Sequence, residues 1–337
     1  MNALVTGGSG FVGQWLIRSL LKNGDRVTAL SIGQSGPPIL ETTERDRVLW
    51  IEGDITDAAK IDRALREASP DHIYHLAGVS FIPAAQASPE AAYETNTLGM
   101  IRLIGAVIRY HEAGHNSPRV LVVGSGEQYG QHPPDNGPLK ESASQKPVSV
   151  YAAGKAAQEV IAIQAFSGFS IPVVATRSFN HSGYGQDSRF LLPGLVARLR
   201  KLSQTGENRL AVGNTSPIRD FLHVRDVVKA YMSLMLKGRP GEVYNVSSGE
   251  GISVSDLIKR ALMVTDTSAI PVSEPSLKRA TDIPWLVGSS EKLTRDTGWK
   301  REHGVDDIIR DLWRGAPQVV EEATGSKSRV SDAVVES

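Results

Sequence analysis

Thr6-Gly7-Gly8-Ser9-Gly10-Phe11-Val12-Gly13 is the stretch of this 337-residue chain that most restricts its fold. It follows an apolar run at residues 2–5 and opens a segment, 11–22, whose apolar residues recur at helical spacing. Each glycine has a separate use in such a place. Gly7 allows the tight turn, Gly10 lets the backbone approach a pyrophosphate, and Gly13 lets helix and sheet pack closely. The first helical turn, with Phe11 and Val12, then offers free N–H groups and a partial positive charge to phosphates. A strand, this turn and a helix together predict a dinucleotide cradle.

The following segments keep the same rhythm. Residues 26–31, 48–52, 72–76 and 119–124 read as buried strands, with helices near 57–68, 89–112 and 151–167 and a further strand at 171–176. Strand–helix alternation implies a doubly wound parallel sheet of the Rossmann type, an α/β fold covered on both faces. After Arg177 the rhythm breaks into a loop (177–189), a helix (190–202), short strands at 210–213 and 242–246, and helices near 253–264 and 305–316. This predicts a dinucleotide-binding domain over 1–176, with returning segments about 214–248. A smaller C-terminal α+β substrate-binding domain takes 177–213 and 249–317. The tail, 318–337, has no periodicity and is expected to be disordered.

Lys plus Arg equals Asp plus Glu, 37 each, so no long-range field draws nucleic acid or anionic membrane, and anion recognition must be local. The absence of Cys removes disulfide and thiolate chemistry. No apolar run reaches bilayer length and no leader pattern precedes the first strand, so a cytoplasmic protein is expected. The scattered histidines show no metal-ligand spacing, and no metal is expected.

The second strand ends Leu30-Ser31-Ile32-Gly33, with no acid for the ribose hydroxyls of NAD and no adjacent Arg for a 2′-phosphate. NADPH or NADH both fit this reading, with NADP favoured. Asp54-Ile55, after the third strand, can flank the adenine, although Asp54 and Asp57 also suit the start of a helix.

Tyr151 and Lys155 lie four residues apart, on one face of a helix. A nearby ammonium favours phenolate, so such a tyrosine can exchange a proton with a substrate oxygen. Ser125, just past the fifth strand, lies at the carboxyl edge where these sheets bind ligands. With the glycine turn, Asp54, His75-Leu76-Ala77-Gly78 and Asn96, these residues resemble the extended short-chain dehydrogenase/reductases over roughly residues 1–316. The resemblance implies that Ser125, Tyr151 and Lys155 form a catalytic triad. It also implies that Lys155 holds the nicotinamide ribose and that Leu76, Ala77 and Gly78 line the cofactor.

The loop Arg177-Ser-Phe-Asn180-His-Ser-Gly183-Tyr-Gly185 is similar to that family's sugar-nucleotide loop, with Tyr184 at the usual proline. Arg219-Asp220-Phe221 and Lys278-Arg279-Ala280-Thr-Asp282 are similar to its nucleotide-holding segments. By resemblance, Asn180 contacts phosphate or sugar, Arg219 and Arg279 contact phosphate, and Asp282 the ribose. Ser125-Gly-Glu-Gln-Tyr-Gly130 and Asn208-Arg-Leu-Ala-Val-Gly213 are similar to segments of the family's GDP-4-keto-6-deoxy-D-mannose reductases. A GDP-sugar substrate, reduced at C4 to GDP-D-rhamnose or its C4 epimer, is implied. Glu127 beside Ser125 keeps a GDP-mannose 4,6-dehydratase open, because a carboxylate there can remove a C5 proton. A 4-epimerase and a non-catalytic dinucleotide sensor are further alternatives. The resemblance also implies a homodimer, in which the helices at 97–112 and 151–167 pair with their mates as a four-helix bundle. Ala152, Ala153, Ala156 and Ala157 permit close helix approach, or else fit the helix to its own sheet.

Overall fold

The computed structural model describes residues 1–315 apart from 34, 35, 38, 135, 136 and 278–281. The expected tail and Arg279 lie outside the described residues. The first half runs β1 (Asn2–Thr6), α1 (Phe11–Lys22), β2 (Arg26–Ser31), α2 (Thr42–Arg45), β3 (Val48–Glu52), α3 (Ala58–Ala68), β4 (His72–His75), α4 (Ile82–Ala87), α5 (Pro89–Tyr93), α6 (Gly99–Glu112), β5 (Arg119–Ser125) and α7 (Val150–Phe169). The second half runs β6 (Val173–Ser178), β7 (Asn180–Ser182), α8 (Leu191–Thr205), β8 (Arg209–Val212), β9 (Ile218–His223), α9 (Val224–Lys237), β10 (Val243–Val246), β11 (Gly251–Ser253), α10 (Val254–Val264), β12 (Ile270–Ser273), β13 (Trp285–Leu286), α11 (Glu291–Thr297) and α12 (Val305–Arg314).

Among the described residues the main sheet has the order β10-β6-β5-β4-β1-β2-β3, and every neighbouring pair is parallel. Strands buried on both faces need apolar residues at successive positions, which Leu4-Val5 and Val120-Leu121-Val122 supply. One face packs on α1 and α9 through Trp15, Leu16, Val227 and Tyr231. The other packs on α3, α6 and α7 through Ile61, Leu103, Val107 and Ala162. A smaller core joins Leu195, Leu199, Phe221, Leu257 and Ile309. There β9 pairs with β7, β11 and β13.

Three details differ from the sequence reading. The helix expected over 89–112 is interrupted by a π-helical turn, Glu94–Leu98, between α5 and α6. The wider turn buries Asn96, whose amide accepts from Val79 N–H (2.8 Å) and donates to its carbonyl (3.1 Å). The strand expected from 171 starts at Val173 because Pro172 accepts from Val120 N–H but has no N–H to return. Of the segment 214–248, α9 and β10 join the main sheet, whereas β9 belongs to the smaller one.

Candidate active site

The carboxyl ends of β1, β2 and β4 meet at the glycine turn, and that of β5 lies on the far side of β4. Gly7 has φ +72°, and a Cβ there would stand 2.8 Å from Ala77 N, so only glycine lets the turn lie against 76–78. At Gly13 a Cβ would meet the carbonyl of Gly7 and stand 2.8 Å from Gly8 Cα. Gly10 caps α1 with no side-chain hydrogen bond and no acid in the first turn, so the N–H groups beginning at Phe11 and Val12 keep their field for an anion. These features fit a dinucleotide pyrophosphate. The Ser31 hydroxyl accepts from Ser9 N–H (3.0 Å), which ties the end of β2 to the turn. Asp54 accepts from Thr56 N–H (2.8 Å), Asp57 caps α3, and Ile55 is buried against Gly99.

Ser149 caps α7 by accepting from Ala152 N–H (3.1 Å), so the helix opens at Val150 and carries Tyr151 in its first turn. Burial pushes the Tyr151 phenol up to about 12. A hydrogen bond with Ser125 opposes that rise, and the nearby Glu127 charge adds to it. One turn on, Lys155 is buried and donates to the Val123 carbonyl (2.8 Å). Desolvation lowers its ammonium to about 8. A Cβ added at Gly78 would stand 3.6 Å from Lys155 Nζ and 2.7 Å from Asn96 Oδ1. The turn, residues 76–78, Asn96, Ser125, Tyr151 and Lys155 therefore form one continuous site.

The residues of the smaller sheet are arranged differently. Asn180, half-buried, lies in β7 opposite Phe221. Arg219 is buried and donates to Asp282 (2.6 Å), so two residues expected to hold separate parts of a nucleotide hold each other here. Asp220 points inward and accepts from Ser248, Gly249 and Gly288 N–H groups; burial raises its carboxyl to about 6. Tyr184 N–H donates to Asp311 (3.0 Å), and its carbonyl accepts from Trp15 (3.1 Å). A proline could not make the first of these bonds.

Three further groups were given no role of their own in the sequence reading. His75 is buried, with Nδ1 2.8 Å from Thr6 Oγ1; Thr6 Oγ1 also accepts from Ala77 N–H (3.2 Å). Burial and the Lys155 charge depress the imidazole to about 3, so it is neutral. Arg177 and Glu159 form a buried bidentate pair at 2.9 and 2.7 Å. Asp226, Glu302 and His303 come together from distant positions with ligand atoms within 4.8 Å, a cluster that no local spacing shows. Its groups have partners already, since Asp226 accepts from His303 and Glu302 pairs with Lys229.

The chain matches the family model for GDP-mannose 4,6 dehydratase over residues 4–312. It is 32% identical over 244 residues to GDP-6-deoxy-D-mannose reductase of Pseudomonas aeruginosa, covering 72% of this chain and 79% of that protein. The structure of RMD from Pseudomonas aeruginosa complexed with NADPH has a TM-score of 0.79 and 28% identity, covering 94% of this chain and 98% of that one. UDP-glucose 4-epimerase of Thermus thermophilus, in complex with NAD, has a TM-score of 0.82 and 25% identity over 94% and 98% of the two chains.

Proposed function

The chain belongs to the GDP-mannose 4,6 dehydratase family of extended short-chain dehydrogenase/reductases, and within it we propose a nicotinamide-dependent reductase of a sugar-nucleotide 4-ketone. The observation that carries the reading is Lys155 buried one turn from Tyr151, with Ser125 close enough to hold the phenol's proton affinity down, beside a glycine turn shaped for a pyrophosphate. The proposed substrate is GDP-4-keto-6-deoxy-D-mannose, supported by the likeness to the Pseudomonas aeruginosa reductase. The product is GDP-D-rhamnose or its C4 epimer.

When bound, NADPH or NADH supplies the hydride to C4. The chain's residues manage the oxygen. Ser125 donates a hydrogen bond to the carbonyl and favours charge build-up there. Tyr151, held protonated by burial, gives its proton to the developing alkoxide, and the carbonyl becomes a hydroxyl. Lys155 stabilises the phenolate left behind and holds the nicotinamide ribose. Gly7, Gly10 and Gly13 receive the pyrophosphate, with Phe11, Val12, Asp54, Ile55 and Leu76–Gly78 around the rest of the cofactor. Ser31 ends β2 where NAD-preferring sites carry an acid, which favours NADPH. Asn180, Arg219, Arg279 and Asp282 are assigned to the sugar nucleotide. Binding at Arg219 requires that it share or exchange its bond to Asp282.

A 4,6-dehydratase acting on GDP-mannose is the second reading. It is supported by Glu127, whose charge raises the proton affinity of Tyr151 and whose carboxylate would act as the base for a C5 proton. The deciding experiment follows reduced-nicotinamide absorbance with GDP-4-keto-6-deoxy-D-mannose, using NADPH and NADH in parallel, with NMR of the product. Oxidation yielding one 6-deoxyhexose supports the reductase. Folded, cofactor-binding protein that gives no oxidation, but forms a keto sugar from GDP-mannose and NADP⁺, overturns it in favour of the dehydratase.

The proposed assembly is a homodimer through α6 and α7. Ile101 and Val160 are exposed there, with Leu98 just before α6, and Ala153, Ala156 and Ala157 stay partly open while Ala152 is buried. Apolar residues along two adjacent helices fit a second copy of the same face.

A further inference from the structure

Behind the reactive groups lies a buried polar hub centred on Glu159, one turn beyond Lys155 on α7. Its carboxylate accepts from Arg177 Nε and Nη2, from Gln128 Nε2 (2.9 Å) and from Gln145 Nε2 (2.5 Å). The Arg177 guanidinium also lies 4.7 Å from the centre of the Tyr129 ring. Four donors thus hold one carboxylate, which pins its helix to β6, to the turn after β5 and to the loop before α7.

Gln128 is the member that reaches the chemistry. It follows Ser125 in a single 3₁₀ turn, Gly126–Tyr129, and is fully buried. Its Oε1 accepts from Ser125 N–H at 2.7 Å while its Nε2 donates to Glu159. The primary amide has an acceptor and a donor so placed, and the two partners leave one orientation of the group. Ser125 stands on a strand end and Tyr151 on a helix; this amide is a direct side-chain tie between the two elements.

We infer that Gln128 is a positioning residue, whose amide sets the Ser125 hydroxyl against the Tyr151–Lys155 face of α7. The kinetic consequence rests on the ketoreductase reading above. A hydroxyl displaced by about 1 Å can cost about 100-fold in rate while leaving substrate binding intact. Gln145 is the internal control. It donates to the same carboxylate and accepts a longer bond from Gln128 (3.3 Å), but no bond joins it to Ser125.

The test compares Gln128→Met and Gln145→Met for kcat, KM, NADPH affinity and hydrogen exchange of the Ser125 amide. Gln128→Met is expected to lower kcat about 10- to 100-fold, with KM and NADPH affinity within about twofold and faster Ser125 exchange. Gln145→Met is expected to stay within about twofold throughout. Equal losses in both variants, a loss confined to KM, or unchanged kcat in Gln128→Met overturns the assignment. If Gln128→Met fails to fold, Gln128→Asn keeps the amide but shortens it by one methylene, so it cannot span from Ser125 N–H to Glu159, and the same outcomes apply. A wild type that turns over no 4-keto sugar nucleotide sinks the functional reading instead. Exchange at Ser125 then decides alone: acceleration in Gln128→Met supports the tie, and unchanged protection overturns it.

Discussion

At the scale of single residues, burial rather than charge pairing sets the proton affinities. Tyr151 titrates near 12 and Lys155 near 8, so Tyr151 stays protonated across the working range while Lys155 does not. The kcat/KM of the proposed reduction, which reports the free enzyme, should therefore fall above about pH 8 as one proton leaves Lys155. A flat profile to pH 10 would reject this role. Tyr151→Phe should bind NADPH as the wild type does and lose turnover by at least about 100-fold, the range of a missing general acid; cofactor fluorescence and absorbance assays together check it. His75 titrates near 3 when folded against 6.5 when free. Between those values the unfolded chain binds the extra proton, so stability is lost as pH falls through that window. The slope is at most about 1.4 kcal/mol per pH unit. Denaturant melts of wild type and His75→Gln from pH 6.5 to 4 should show a shallower slope in the variant, whatever its stability at neutral pH.

At the scale of elements, the glycine turn is tightest at Gly13, where the added methyl of alanine would strike Gly7 and Gly8 backbone rather than a movable side chain. Gly13→Ala should lower NADPH affinity at least about tenfold, because α1 must move off the turn that aims its N–H groups; titration of cofactor fluorescence checks this. Positions of this kind were legible in the sequence, since the requirement is local. The π-helical turn was not: Glu94-Thr-Asn-Thr-Leu98 has no Gly or Pro to mark a break, and the turn buries Asn96 against Val79. Gln128 was half legible. Ser125-x-x-Gln128 fits the side-chain cap of a helical turn, but nothing nearby in sequence points to Glu159 as its other partner.

At the scale of the whole molecule, the exposed apolar residues of α6 and α7 carry the proposed dimer. Ile101→Glu should convert it to monomer, read by light scattering, because desolvating a charge in an apolar seam is costly. Among the described residues no helix is long and apolar enough to cross a membrane.

Strand–helix alternation and the glycine spacing already determined a parallel dinucleotide-binding sheet, because hydrophobic period and turn chemistry act over a few neighbouring residues. The same holds for Tyr151 and Lys155, set on one helical face by their separation alone. Pairings across the chain were decided by the tertiary structure. Arg219 meets Asp282 across 63 residues, and Tyr184 N–H meets Asp311 across 127. Such bonds form because a buried charge or donor takes whatever partner the packing brings to it, and sequence distance carries no trace of that choice.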